Sequence, residues 1–124
     1  MVDSCLIVIK YLKLAEKEAN KSNERYKLGC LLIKNGHILG RGFNINKSHP
    51  KYGSGYHDFL HAEGRAILNA VSKGKNLIDS SALVFRRNSL LAKPCKDCMK
   101  LLKKFGIKEV YYTNNQLLKR EKLI

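Results

Sequence analysis

No stretch of this sequence approaches the eighteen or so consecutive apolar residues that a membrane-spanning helix needs, so no transmembrane segment is expected. The apolar run Cys5-Leu6-Ile7-Val8-Ile9 is too short for the core of a secretion signal and follows the acidic Asp3, which argues against export. Internal repeats and low-complexity linkers are absent, so the 124 residues are expected to form one domain, residues 1–124, with a modest core. Negative charge is scarce: 10 Asp+Glu stand against 24 Lys+Arg, a net charge of +14. A solvated lysine-rich surface accounts for that excess, and so does attraction to a polyanion such as nucleic acid or nucleotide phosphate. The excess is uneven, with thirteen Lys+Arg against four Asp+Glu in residues 73–124 and eleven against six in residues 1–72.

Against this background two short motifs stand out, His61-Ala62-Glu63 and Pro94-Cys95-Lys96-Asp97-Cys98. One imidazole and two thiolates make three zinc ligands. A structural zinc site is closed by four protein ligands, whereas a catalytic site keeps one position for water. Cys95 and Cys98 are three apart and share one face of a helix, whose start Pro94 favours. The positive end of that helix would stabilise both thiolates. His61 and Glu63 are two apart and do not share a helical face, so they converge only where a helix begins. Two helix N-termini meeting over one zinc is the implied geometry.

Each motif has a plainer explanation. A lone C-x-x-C is a redox pair or half of a structural site, and a lone H-x-E is a helix surface. A closed Cys₂His₂ site is open to His37, His49 or His57 as fourth ligand, but it leaves Glu63 without a task. Cys5 and Cys30 lie in apolar segments and read as buried thiols, so no disulfide framework is expected and the compartment is a reducing, cytoplasmic one.

Along the chain, Cys5, Val8, Leu12, Ala15 and Ala19 keep helical spacing and predict a helix over 3–21. Asn35-Gly36 predicts a hairpin between strands at 26–34 and 37–43, because both turn positions need positive φ. The unbroken run Cys30-Leu31-Leu32-Ile33 predicts a strand covered on both faces. Gly40 and Gly42 weaken the second strand and permit close approach of backbone or ligand. Residues 45–60 form a long loop of the kind that often carries function. Within it Tyr56 is a candidate to stack on a base, and His57 is a better candidate for a site contact than His49. Helices are predicted at 61–72 and 95–105, ending at Gly74 and Gly106. Strands are predicted at 82–85 and 107–113, parallel to one another, followed by a short basic helix over 114–124. Arg86 and Arg87 end the first of those strands, where open α/β sheets place ligands, and suit phosphate. The assembled order is α-β-β-α-β-α-β-α, an α/β protein with a three-layer α/β/α sandwich and a mixed sheet.

The combination H-x-E with P-C-x-x-C resembles the zinc-dependent cytidine and deoxycytidylate deaminase superfamily. The stretch Pro94-Cys95-x-x-Cys98 through Gly106-Ile107 to Val110-Tyr111-Tyr112 resembles its deoxycytidylate, tRNA adenosine and polynucleotide members. The resemblance covers about residues 26–113. It implies zinc on His61, Cys95 and Cys98, with Glu63 carrying protons for a zinc-bound water. Asn44, closing a G-x-N at the end of the second strand, resembles a sugar-binding asparagine, and the backbone N–H groups of Ala62 and Cys95 would face base or oxygen atoms. The loop between Asn44 and His61 is longer than in typical tRNA adenosine deaminases, and Arg86 to Lys93 departs from the usual lead-in to the cysteines.

Three functions compete. A nucleotide-pool deaminase acting on a free cytidine or deoxycytidine monophosphate such as dCMP is placed slightly first. A cytosine or adenine deaminase acting on single-stranded DNA, RNA or tRNA comes second, favoured by the charge. A non-catalytic zinc module that binds nucleic acid comes third, with Glu63 against it. The expected partner is thus a nucleotide or single-stranded nucleic acid and no membrane, and a homo-oligomer is left open.

Overall fold

The computed structural model describes residues 4–45 and 61–123. The expectations for His49, Tyr56, His57 and the loop around them therefore lie outside the described residues, as does the side chain of Cys5. The described elements are α1 (Ser4–Ala19), β1 (Leu28–Lys34), β2 (His37–Phe43), α2 (Ala62–Ser72), β3 (Ser81–Arg86), α3 (Lys96–Lys104), β4 (Glu109–Asn114) and β5 (Leu117–Lys122). They build a five-stranded sheet in the order β2-β1-β3-β4-β5. Only β3 and β4 pair in parallel, as the helical crossover α3 between them requires. The pairs β1–β2, β1–β3 and β4–β5 are antiparallel.

Local chemistry explains the strand connections. Asn35 and Gly36 adopt φ of 52° and 79°, the two left-handed positions that a tight hairpin turn demands. β1 lies second in the sheet and buries Cys30, Leu31 and Leu32 completely, so the continuous apolar run is covered on both faces. Cys30, Leu32, Ala82, Val84 and Val110 point to the side where Ala66, Ile67 and Ala70 of α2 and Leu102 of α3 pack. Leu31, Leu83 and Phe85 point to the other side and meet Ala15 and Ala19 of α1. The result is the expected three-layer α/β/α sandwich with a mixed sheet.

Glycines set how closely α2 lies on the sheet. A Cβ at Gly42 would stand 2.7 Å from the Ala62 carbonyl oxygen, and one at Gly40 would stand 2.5 Å from that of Ala66. The close approach is thus between backbones. α3 ends where Gly106 takes φ 83°, with the Ile107 N–H donating back to the Leu102 carbonyl at 3.1 Å.

The end of the chain departs from expectation. Residues 117–122 form β5, an edge strand antiparallel to β4, and not a basic helix. Asn115 and Gln116 both adopt positive φ, 50° and 73°, and fold the chain back onto β4. The alternating Leu118, Arg120 and Lys122 then cover the β4 edge, and the Arg120 Nε donates to a Glu109 carboxylate oxygen at 2.7 Å. Tertiary pairing overrides the helical propensity of Leu-Leu-Lys-Arg-Glu-Lys. The element order is accordingly α-β-β-α-β-α-β-β.

Candidate active site

Both predicted helix starts lie at the end of the sheet where β2 and β3 finish, on the face shared by α2 and α3. His61 is the N-cap of α2, with extended φ −77° and ψ 158°, and Cys95 is the N-cap of α3, with φ −67° and ψ 168°. The extended caps turn these side chains toward each other. The His61 Nδ1 lies 3.2 Å from the Cys98 Sγ and 3.9 Å from the Cys95 Sγ. All three donor atoms fall within 4.8 Å of one another. Zinc–sulfur and zinc–nitrogen bonds of about 2.3 and 2.0 Å at a tetrahedral angle separate S from N by roughly 3.6 Å, and the two observed separations bracket that value.

The donors are graded in exposure: Cys98 is buried, His61 half-buried and Cys95 exposed. Solvent therefore reaches the cluster at Cys95. Among the described residues no fourth histidine, cysteine or carboxylate joins it. His37 sits at the turn end of β2, away from the cluster, so it supplies no closing ligand. Imidazole nitrogen and thiol sulfur are the donor types zinc prefers, and three protein ligands leave a position for solvent. These residues can hold the zinc that the motif calls for.

Glu63 is only 4% exposed, in the first turn of α2 and two residues from His61. Burial pushes its carboxyl up to about 7, opposed in part by a hydrogen bond from its own backbone N–H. A carboxyl poised near neutral both accepts and returns a proton. Cys30 lies in the same core, and burial, with the nearby Glu63 and Glu18 charges, pushes its thiol well up. It stays a protonated apolar group and not a metal donor. Ala62 is the first residue of α2 and buried, so its N–H is at a helix start, where N–H groups lack intrahelical partners.

Asn44, Arg86 and Arg87 lie at the same end of the sheet. The Asn44 side chain is anchored: its Oδ1 accepts the Leu28 N–H at 3.0 Å and its Nδ2 donates to the Tyr26 carbonyl at 2.6 Å. It thereby ties the exit of β2 to the entry of β1. Arg86 ends β3 opposite Leu28, and its Nη1 donates to the Leu91 carbonyl at 3.4 Å, within the lead-in to Cys95. Arg87 is exposed, and its N–H donates to the Lys27 carbonyl. Tyr26 was not among the expected site residues. Its ring lies under the Arg86 guanidinium, 4.6 Å from carbon to centroid, with Arg25 at 5.5 Å. An aromatic between two cations, Arg25-Tyr26-Lys27, was the only local signal for it.

The model of the cytidine and deoxycytidylate deaminase zinc-binding region matches residues 7–114. The chain belongs to the cytidine and deoxycytidylate deaminase family. This deaminase is similar to the dCMP deaminase of the cyanophage S-TIM5, with 30% identity over 86% of this chain and 81% of that one and a TM-score of 0.66. A solved structure from studies of A-to-I editing by tRNA:A34 deaminases is 25% identical over 84% of this chain and 74% of its own, with a TM-score of 0.62. The cytidine deaminase of Burkholderia pseudomallei shares the fold, with a TM-score of 0.73 over 93% of this chain and 91% of that one at 22% identity. No curated protein matches the sequence. The chain is therefore a deaminase with the family's zinc-binding region, in which His61, Cys95 and Cys98 could hold the metal ion.

Proposed function

We propose that this deaminase converts cytosine to uracil in a free cytidine or deoxycytidine monophosphate, with dCMP as the first substrate to test. The observation that carries the proposal is the 30% identity to a dCMP deaminase whose structure is also known in complex with dCMP and dUMP. Two arginines, Arg86 and Arg87, at the rim supply the charge a single phosphate needs.

His61, Cys95 and Cys98 would hold zinc, which when bound would supply the Lewis acidity that readies a water for attack on the ring carbon bearing the amine. Glu63 takes the two protons of that water in turn, the first as it attacks and the second from the hydroxyl it leaves on the ring carbon. It returns one to the ring nitrogen and one to the departing ammonia, a shuttle that its burial and near-neutral carboxyl suit. The two helix starts direct N–H dipoles at the site, where negative charge develops during attack. Asn44, fixed on the β1 backbone, is proposed to present its remaining hydrogen-bonding capacity to the sugar. The test is Glu63→Ala. It should keep fold and zinc while dCMP turnover falls about 10²–10⁴-fold or further. Turnover within a few-fold of the parent would place the proton shuttle elsewhere.

One observation favours a polynucleotide substrate instead. Lys96, Lys100, Lys103 and Lys104 are all exposed along α3, the helix that carries Cys98. A ladder of cations beside the site would follow a phosphate backbone.

A further inference from the structure

We infer that Tyr26 is a positioning residue for nucleotide substrate: its ring holds the Arg86 guanidinium in place to grip the substrate phosphate. This deepens the free-nucleotide proposal and rests on it. Arg86 follows Ala82 and Val84 by strand alternation, and both of these lie in the core beneath α2 and α3. Its side chain is therefore on the sheet face that carries the metal cluster. Two contacts fix the guanidinium there, the Tyr26 ring at 4.6 Å and the Leu91 carbonyl at 3.4 Å. Neither contact is an acid. Among the described residues, the ion pairs Lys21–Glu18, Lys93–Glu121 and Arg120–Glu109 do not involve Arg86. An arginine held by an aromatic face keeps its full charge and most of its N–H donors for an anion.

The backbone around Tyr26 is held as firmly as its ring. Its carbonyl accepts from the Asn44 Nδ2 at 2.6 Å, and the next residue's carbonyl accepts the Arg87 N–H at 2.9 Å. Tyr26 thus sits between the proposed sugar contact and the two proposed phosphate contacts. Yet the residue is 54% exposed. Its ring adds little to the core, so the contact with Arg86 is the main thing its removal would disturb.

The experiment measures kcat and KM for dCMP in the full chain and in Tyr26→Ala, Tyr26→Phe, Arg86→Gln and Tyr26→Ala/Arg86→Gln, with thermal unfolding of each. Tyr26→Ala should raise KM about 3- to 10-fold with kcat within about two-fold. Tyr26→Phe keeps the ring face and should restore the parent KM. Adding Tyr26→Ala to Arg86→Gln should raise KM no further, because the two residues act as one unit. An unchanged KM in Tyr26→Ala overturns the inference, as do a fall in kcat alone, a Tyr26→Phe variant as weak as Tyr26→Ala, or additive effects in the double variant. A parent protein that turns over no free nucleotide overturns the substrate proposal and this inference with it, and that result is in hand before any variant is compared.

Discussion

Gly42→Ala should damage the catalytic machinery more than the fold. A methyl group at Gly42 would meet the Ala66 backbone N at 2.4 Å, the Ala62 carbonyl oxygen at 2.7 Å and the Arg65 carbonyl carbon at 2.8 Å, where ordinary contact begins at 3.4 Å. All three neighbours are backbone at the start of α2, so no flexible side chain can yield. The helix start must recede by roughly 1 Å, the gap between contact and the tightest clash, and overpacking of this kind costs about 1–3 kcal/mol. That same turn carries Glu63 and follows His61. Misplacing reacting groups by about 1 Å costs on the order of 100-fold in rate. Gly36→Ala is the matched control. Gly36 has φ 79° and nothing within 4 Å of a built Cβ, so the change strains the turn by about 1–2 kcal/mol without touching α2. Urea unfolding should show comparable losses for the two variants. Zinc content and dCMP turnover should separate them, with Gly42→Ala one to two orders of magnitude slower and Gly36→Ala near the parent. Equal activity in both variants would refute the link from sheet contact to catalysis.

Other expectations are direct. Purified protein should carry one zinc per chain by metal analysis, and Cys98→Ala should lose it together with stability, because Cys98 is the buried donor. Partial burial raises the Glu109 carboxyl, but hydrogen bonds from Ser81 and Arg120 and the Arg120 charge outweigh it and bring the group below its ordinary 4.5. Stability from Glu109 is therefore complete above about pH 4.5 and is lost as pH falls through its folded value, so Glu109→Gln should flatten that stretch of a stability–pH curve. Lys100/Lys103/Lys104→Gln should leave dCMP turnover unchanged. A steep loss of oligonucleotide binding with salt in the parent, near −0.7 per phosphate on a log–log plot and flatter in this variant, would favour the polynucleotide substrate.

Features written in local chemistry were readable from the sequence. Asn35-Gly36 admits few structures other than a tight hairpin, and the helix start at His61 follows from a two-residue spacing to Glu63 that cannot otherwise converge. β5 was missed because its turn uses Asn115-Gln116 in place of Asn-Gly, and because its pairing with β4 is a tertiary choice that local propensity opposes. Tyr26 was missed for a related reason. Its partner Arg86 is sixty positions away in sequence, and only the antiparallel pairing of β1 with β3 brings the two strand ends together. Asn44 was legible as a residue at a strand exit, but its anchoring to the Tyr26 and Leu28 backbone was not.

The metal donors also govern how the chain comes apart. His61 is 34 positions from Cys95 and 37 from Cys98, so an ion held between them closes a ring that encloses the whole of β3, the central strand. Opening the sheet while that ring stays closed leaves the unfolded chain with far fewer conformations, an effect worth roughly 4 kcal/mol for a cross-link of this span. Releasing the ion first forfeits its binding energy instead. Either route makes disassembly less favourable, so zinc supply would set how much of the protein stays folded as well as how fast it turns over. Scarcity of the metal would be read out as scarcity of the enzyme.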